Sequence, residues 1–209
     1  MVKMLTMSCV ALCLFTSTDV KAVAVTTNSG SGLAASYTSL ANAITALNAA
    51  VISSPVVITC AASGTETTPA GGFSITASGT AVNTITITGS SSTITAFTPQ
   101  ASGILVDAIF KLVGADFVTI QGFTMLENAA NTTTAAGTNN MTEWGVALLE
   151  RASSTIDGSQ SNTIQNNTIS LSRLYQNSFG IYSNPNHTPT AVTTTVVLTN
   201  ALEPITTMP

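Results

Sequence analysis

Beyond residue 52, no apolar run in this chain is long enough to make a helix. The runs fall at 55–60, 73–76, 84–88, 93–97, 108–113, 117–120, 123–126, 145–149, 163–164, 168–171 and 180–182, and turn-forming residues separate them. Most hold three to six residues and are rich in Ile, Val, Thr and Phe. Short runs of β-branched and aromatic residues between Gly, Asn, Ser and Pro predict strands. One helix is predicted upstream. Tyr37, Leu40, Ala41, Ile44, Leu47 and Val51 recur at gaps of three, one, three, three and four, which places them on one helical face. The helix should span 39–51, with Thr38 or Ser39 as its N-cap.

Only 7% of residues are charged while 44% are hydrophobic, against about 25% charged in average proteins. That balance excludes wholesale disorder, which needs high charge and few apolar groups. Five basic residues and a net charge of −4 also argue against nucleic acid, because no basic stripe exists to neutralise phosphates. The same deficit argues against docking on an anionic membrane.

Internal repetition separates a stack of repeats from a sandwich of hairpins. Val118-Thr119-Ile120-Gln121-Gly122-Phe123-Thr124-Met125 echoes Asn162-Thr163-Ile164-Gln165-Asn166-Asn167-Thr168-Ile169. The offset is 164 − 120 = 44, which reads as two coils of 44/2 = 22 residues. Gly145-Val146-Ala147-Leu148 and Gly180-Ile181-Tyr182-Ser183 form a second echo. Alternation puts Ile120 and Ile164 inward and Thr119, Gln121, Thr163 and Gln165 outward. Asn166 and Asn167 suit a corner, where Asn tolerates left-handed backbone and can bond to an Asn of the next coil.

The stretch 162–169 resembles the repeat of pectin-lyase-like right-handed β-helix proteins. The helix around Leu40 and Ile44 resembles their N-terminal cap. The wording Asp116-Phe117-Val118-Thr119-Ile120-Gln121-Gly122-Phe123-Thr124 is similar to large secreted β-helix surface proteins of the Bacteroidetes type. The resemblance covers 36–183. It implies an all-β fold, a right-handed single-stranded parallel β-helix of about five or six coils with a capping helix. On that reading 1–24 is a signal peptide, 25–35 a polar lead-in, 36–186 the β-helix and 187–209 an irregular or truncated tail. Complete members of the family resemble longer cylinders, so the chain is expected to be truncated from a longer protein. An open C-terminal edge would favour self-association.

The signal peptide is predicted from Lys3, the uncharged apolar run 4–15, and Ala22-Val23-Ala24, a small-x-small pattern that places cleavage after Ala24. Thr16-Ser17-Thr18-Asp19 interrupts the run before it reaches the roughly 20 apolar residues that a membrane span needs. The expected location is therefore extracellular, cell-surface or periplasmic. Past residue 24 one cysteine remains, Cys60, in the run Val56-Val57-Ile58-Thr59, and it reads as a small buried hydrophobe. No disulfide framework or zinc spacing is present, and no cofactor or metal is expected.

Catalytic chemistry finds little to work with. Polysaccharide hydrolysis needs two carboxyl groups facing one bond. Two acid groupings could meet in space: Asp107 with Asp116, flanking one strand, and Glu127, Glu143 and Glu150 around a loop. Solvated corners are the simpler account of both. Lys111, Arg151 and Arg173 are the remaining bases. His187, the single histidine, lies in the turn-rich Asn184-Pro185-Asn186 stretch and is expected to be exposed. Trp144 sits beside Glu143 and ahead of a strand, and Tyr182 sits in the echoing strand. Aromatic rings next to a carboxylate suit a sugar, because a ring stacks on the apolar face of a pyranose. Glu143, Trp144 and Tyr182 are accordingly the candidate ligand-binding residues. The expected function is a non-enzymatic exported or cell-surface module for adhesion or glycan contact. The alternative is a fragment of a polysaccharide lyase or glycoside hydrolase.

Overall fold

A computed structural model describes residues 22–101, 105–135, 137–152, 157–184, 187–188 and 191–192. The apolar run 4–15 and the tail from 193 onward lie outside the described residues. So do the expectations of a signal segment and of a truncated, self-associating end.

The helix forms for local reasons. α1 spans Leu40–Ala49, and the Ser39 side chain accepts from the Asn42 backbone N–H at 3.1 Å. That bond satisfies one of the donors a helix start leaves free. Leu40, Ala43, Ile44 and Leu47 are buried. Val51, placed on the apolar face by its spacing, lies beyond the helix and is 84% exposed.

The strands are β1 (Val25–Thr27), β2 (Ser36–Tyr37), β3 (Val56–Cys60), β4 (Thr65–Thr67), β5 (Phe73–Ile75), β6 (Ile85–Thr95), β7 (Ala108–Val113), β8 (Val118–Leu126), β9 (Trp144–Leu149), β10 (Thr163–Gln165), β11 (Thr168–Ser170), β12 (Phe179–Asn184), β13 (His187–Thr188) and β14 (Ala191–Val192). They form an eight-stranded sheet in the order β10-β8-β6-β3-β1-β2, with β11 also on β8 and β4 also on β6. A four-stranded sheet runs β12-β9-β7-β5, and β13 pairs with β14. From β3 onward the chain passes back and forth between the two larger sheets, and every pairing between these later strands of the two sheets is parallel. β1 pairs antiparallel with both β2 and β3, so the larger sheet is mixed.

This arrangement corrects the expected all-β right-handed parallel β-helix of about five or six coils. The described residues form a mixed α/β architecture of one mixed sheet, one parallel sheet and one helix. The 44-residue echo is a single ladder step, because Ile164 pairs directly with Ile120. No 22-residue coil lies between them. Other steps in that sheet include 85 − 56 = 29 and 118 − 85 = 33 residues. In the smaller sheet they are 110 − 73 = 37, 144 − 108 = 36 and 179 − 144 = 35. A regular stack of 22-residue coils is therefore absent among the described residues. Connections of varying length can close the same ladder because loop entropy grows only slowly with length.

The predicted faces hold. Ile58, Ile87, Ile120 and Ile164 stand in one column across β3, β6, β8 and β10, and all four are buried. The alternate residues carry a polar ladder on the outer face. Gln165 Nε2 donates to Gln121 Oε1 at 2.7 Å, and Gln121 Nε2 to Thr88 Oγ1 at 3.1 Å. The second echo also pairs as neighbours, with Gly180 opposite Gly145. A Cβ on Gly145 would fall 2.6 Å from the Gly180 carbonyl oxygen, so the strands approach where side chains are missing.

Asn166 takes the left-handed conformation expected of it, with φ 53°. The Asn bonding differs from the expected Asn-to-Asn contact, because each side chain clasps the neighbouring strand's backbone. Asn167 Oδ1 accepts from Phe123 N at 3.0 Å while its Nδ2 donates to Ile120 O at 2.9 Å. Asn162 does the same with Val118 N and Ala115 O, at 2.9 and 2.7 Å. Asn167→Ala is expected to lower unfolding free energy by about 1–2 kcal/mol in urea titration, because both backbone groups lose their partner. An unchanged midpoint would show that water replaces the amide without cost.

Candidate functional site

The outer face of the smaller sheet carries polar groups that its strand pattern hides. β7 and β9 are buried throughout. One side of these strands feeds the main core through Phe110, Leu112, Val146 and Leu148. The other forms a second cluster of Ala108, Trp144, Ala147 and Leu149, against which Leu105 and Tyr182 pack. Ionisable residues surround this second cluster. Asp107 is 2% exposed, Lys111 6%, and Glu143 and His187 0%.

Backbone pairing brings Asp107 and Glu143 together. They precede β7 and β9, which lie side by side with Ala108 opposite Trp144. The Trp144 N–H donates to the Asp107 carbonyl at 3.0 Å. The Asp107 N–H donates back to Glu143 Oε2 at 2.8 Å, and the Tyr175 hydroxyl lies 3.4 Å from Glu143 Oε1. Burial pushes the Glu143 carboxyl up to about 8; the Asp107 N–H bond opposes the shift and the Asp107 charge adds to it. Burial likewise pushes Asp107 up to about 6, against the pull of the Lys111 charge, the Ala101 N–H and the Glu143 carboxyl. Lys111 is held below the usual lysine value by burial, with the charges of Asp107 and Glu143 opposing. Burial thus biases both adjoining carboxyls toward holding a proton.

The aromatic half lies on the same face. The Tyr182 ring stacks on Trp144 with centroids 4.4 Å apart and planes 8° apart. His187 meets both edge-on, at 4.9 Å from Trp144 and 5.4 Å from Tyr182. Its Nδ1 lies 2.9 Å from the Tyr182 hydroxyl, which also accepts from Asn184 Nδ2 at 3.0 Å. Which atom of the His187–Tyr182 pair donates depends on the His187 tautomer. Burial keeps its pKa below the ordinary value; the Leu105 backbone opposes this and the Lys111 charge reinforces it. Phe179 is 49% exposed, with its ring 6.5 Å from that of Tyr182.

Glu143, Trp144 and Tyr182, named from sequence, therefore do share one face. Trp144 is not an open platform, because Tyr182 covers it and only 1% of it is exposed. His187 is buried between rings rather than exposed in a loop, held partly by its carbonyl accepting from the Glu150 N–H at 2.9 Å. Asp107 and Asp116 do not meet. They sit at opposite ends of β7, and Asp116 Oδ1 accepts from the Gln160 N–H at 2.7 Å. Glu127 approaches Glu143 through Thr142, whose N–H and hydroxyl it accepts at 3.1 and 2.8 Å. Glu150 lies past the far end of β9 and does not join them. Arg151 is occupied in the fold: its Nη2 donates to the Thr76 and Gly114 carbonyls, and its Nε lies 3.2 Å from Asp157 Oδ2.

Sequence reasoning missed the roles of Lys111, Tyr175 and Phe179. The available signal for Lys111 was a charge at the centre of the apolar run 108–113. Among the described residues, no three His, Cys, Asp or Glu side chains are grouped as metal ligands. No helix among them is long and apolar enough to cross a membrane. Cys60 is buried as expected, and burial with the Glu66 charge pushes its thiol up to about 12. No family profile, curated protein or solved structure matches the chain.

Proposed function

We propose that this chain is an exported, non-enzymatic module that contacts glycan through the aromatic face of its smaller sheet. One observation carries the reading: Tyr182 is backed ring-on-ring by Trp144 at 4.4 Å while staying partly open to solvent. A ring braced from behind, with its hydroxyl held by His187 and Asn184, loses little freedom when a sugar stacks on it. Phe179 extends the same surface toward solvent. The buried state of Asp107, Glu143 and Lys111 supports binding over turnover, since a general acid must reach the bond it protonates. Export is read from Lys3 and the apolar run 4–15.

Glycan-array screening followed by titration of the best ligand tests this reading. Tyr182→Ala and Phe179→Ala are each expected to weaken binding by about tenfold, the loss of roughly one stacking contact. Unchanged affinity in both variants would end it. A second reading, a hydrolase or lyase fragment, is favoured by the two carboxyls of Asp107 and Glu143 held side by side. Reducing-end release from uronans that vanishes in Glu143→Gln would establish that reading instead.

A further inference from the structure

Glu66 is a buried acid that the aromatic face does not use. It lies on β4, is 6% exposed, and gathers three backbone N–H groups. Two come from the first turn of α1: Leu40 N at 2.9 Å to Oε2 and Ala41 N at 3.1 Å to Oε1. These are orphan donors of a helix start, where negative charge is also favoured by the helix dipole. The third comes from far away in sequence, the Val23 N–H at 3.2 Å to Oε2.

Val23 is built into the fold. Its side chain is 1% exposed and belongs to the main core. It seats against Gly64, where an added Cβ would meet Val23 Cγ2 at 3.0 Å. The next carbonyl, of Ala24, accepts from the Ala61 N–H at 2.8 Å, and β1 begins at Val25. Ala22, by contrast, is exposed. Among the described residues, Val23 is therefore the first whose side chain the core buries. Cutting after Ala24 would strip a core side chain and one of the Glu66 donors. Two residues upstream, Val20-Lys21-Ala22 presents a small residue at the cut and an aliphatic one two before it, a variant of the small-x-small pattern.

We propose that signal peptidase cuts between Ala22 and Val23, and that the freed α-ammonium of Val23 seats on Glu66 as a charged latch at the start of the fold. This rests on the exported reading above. Water adds across the Ala22–Val23 peptide bond. The C–N bond breaks, Ala22 leaves as a carboxylate, and the Val23 nitrogen takes up protons to become an ammonium. Scission precedes folding, while the segment is still extended, so the later burial of Val23 is no obstacle. In the precursor, Glu66 receives a neutral amide at this position. In the processed chain it receives a cation, and a charge-assisted bond is about twice as strong as a neutral one. Removal of the leader thus strengthens the junction of β1, β4 and the start of α1.

The full chain is expressed in an exporting host, and the exported product is read by N-terminal sequencing and intact mass. Val23 as the first residue is expected. A product starting at Val25 overturns the latch while leaving export intact, whereas an unprocessed chain kept inside the cell overturns both. The purified Val23 form is then compared with the same chain acetylated at its N-terminus. The free-amine form should melt several degrees higher, and Glu66→Gln should erase the gap. Equal melting of free and acetylated wild-type protein overturns the latch, even if Glu66→Gln proves too unstable to purify.

Discussion

Glu143→Gln is expected to stabilise the protein at alkaline pH and to flatten its stability profile between pH 5 and 8. The Glu143 carboxyl rises from its ordinary 4.5 to about 8 in the fold because burial disfavours its charged form. Between those values the unfolded chain has released the proton while the folded chain still holds it. Stability drawn from this group is thus fully present below about 4.5 and is lost as pH rises through about 8. Glutamine keeps an oxygen for the Asp107 N–H at 2.8 Å and carries no charge to bury. The variant's melting temperature should exceed wild type by on the order of 5 °C at pH 8, with the gap closing toward pH 5. Asp107, raised to about 6, leaves a smaller residual slope on the acidic side of neutrality. Thermal melts of both proteins across this range check the claim. A variant that loses stability equally at every pH would show that Glu143 is held as a carboxylate.

Phe110→Ala should remove about 3–5 kcal/mol of unfolding free energy. Phe110 is fully buried and sits between Phe73 and Phe123, with both centroid separations 5.2 Å. Phe73 and Phe110 belong to the smaller sheet, while Phe123 comes from β8 of the larger one. The ring therefore ties the two sheets into one core. Truncation leaves a cavity that rigid strands on both sides cannot close. Urea titration should show a lower midpoint with the slope nearly unchanged. A loss below about 1 kcal/mol would mean that the sheets do not share the ring.

Much of the local structure was legible in the residues. The Ser39 cap, the Leu40–Ile44–Leu47 stripe and the inward isoleucines each depend on spacing within a few residues. Backbone geometry converts such spacing into a face. The left-handed Asn166 follows from its own side chain. Two pairs of short strands predicted separately, 84–88 with 93–97 and 117–120 with 123–126, run on as β6 and β8. The intervening turn residues bend the strand without ending it, as Ser90 and Ser91 do at φ 50° and 63°.

The ladder was less legible. The echo between Ile120 and Ile164 correctly marked similar strands, but similarity does not count the strands lying between them. The candidate residues show the same division. Glu143, Trp144 and Tyr182 could be named because an acid beside an aromatic carries its own chemistry. Their burial could not, since it depends on neighbours such as Asp107 and His187 that are distant in sequence. His187 shows this most plainly. Its turn-rich surroundings predict exposure, yet two aromatic rings from other strands enclose it. Periodicity and capping act over one or two turns of chain, so the residues alone settle which elements form and which way they face. Partner choice, ladder spacing and the protonation of a buried acid depend on what the folded chain brings beside them, and no local pattern encodes that.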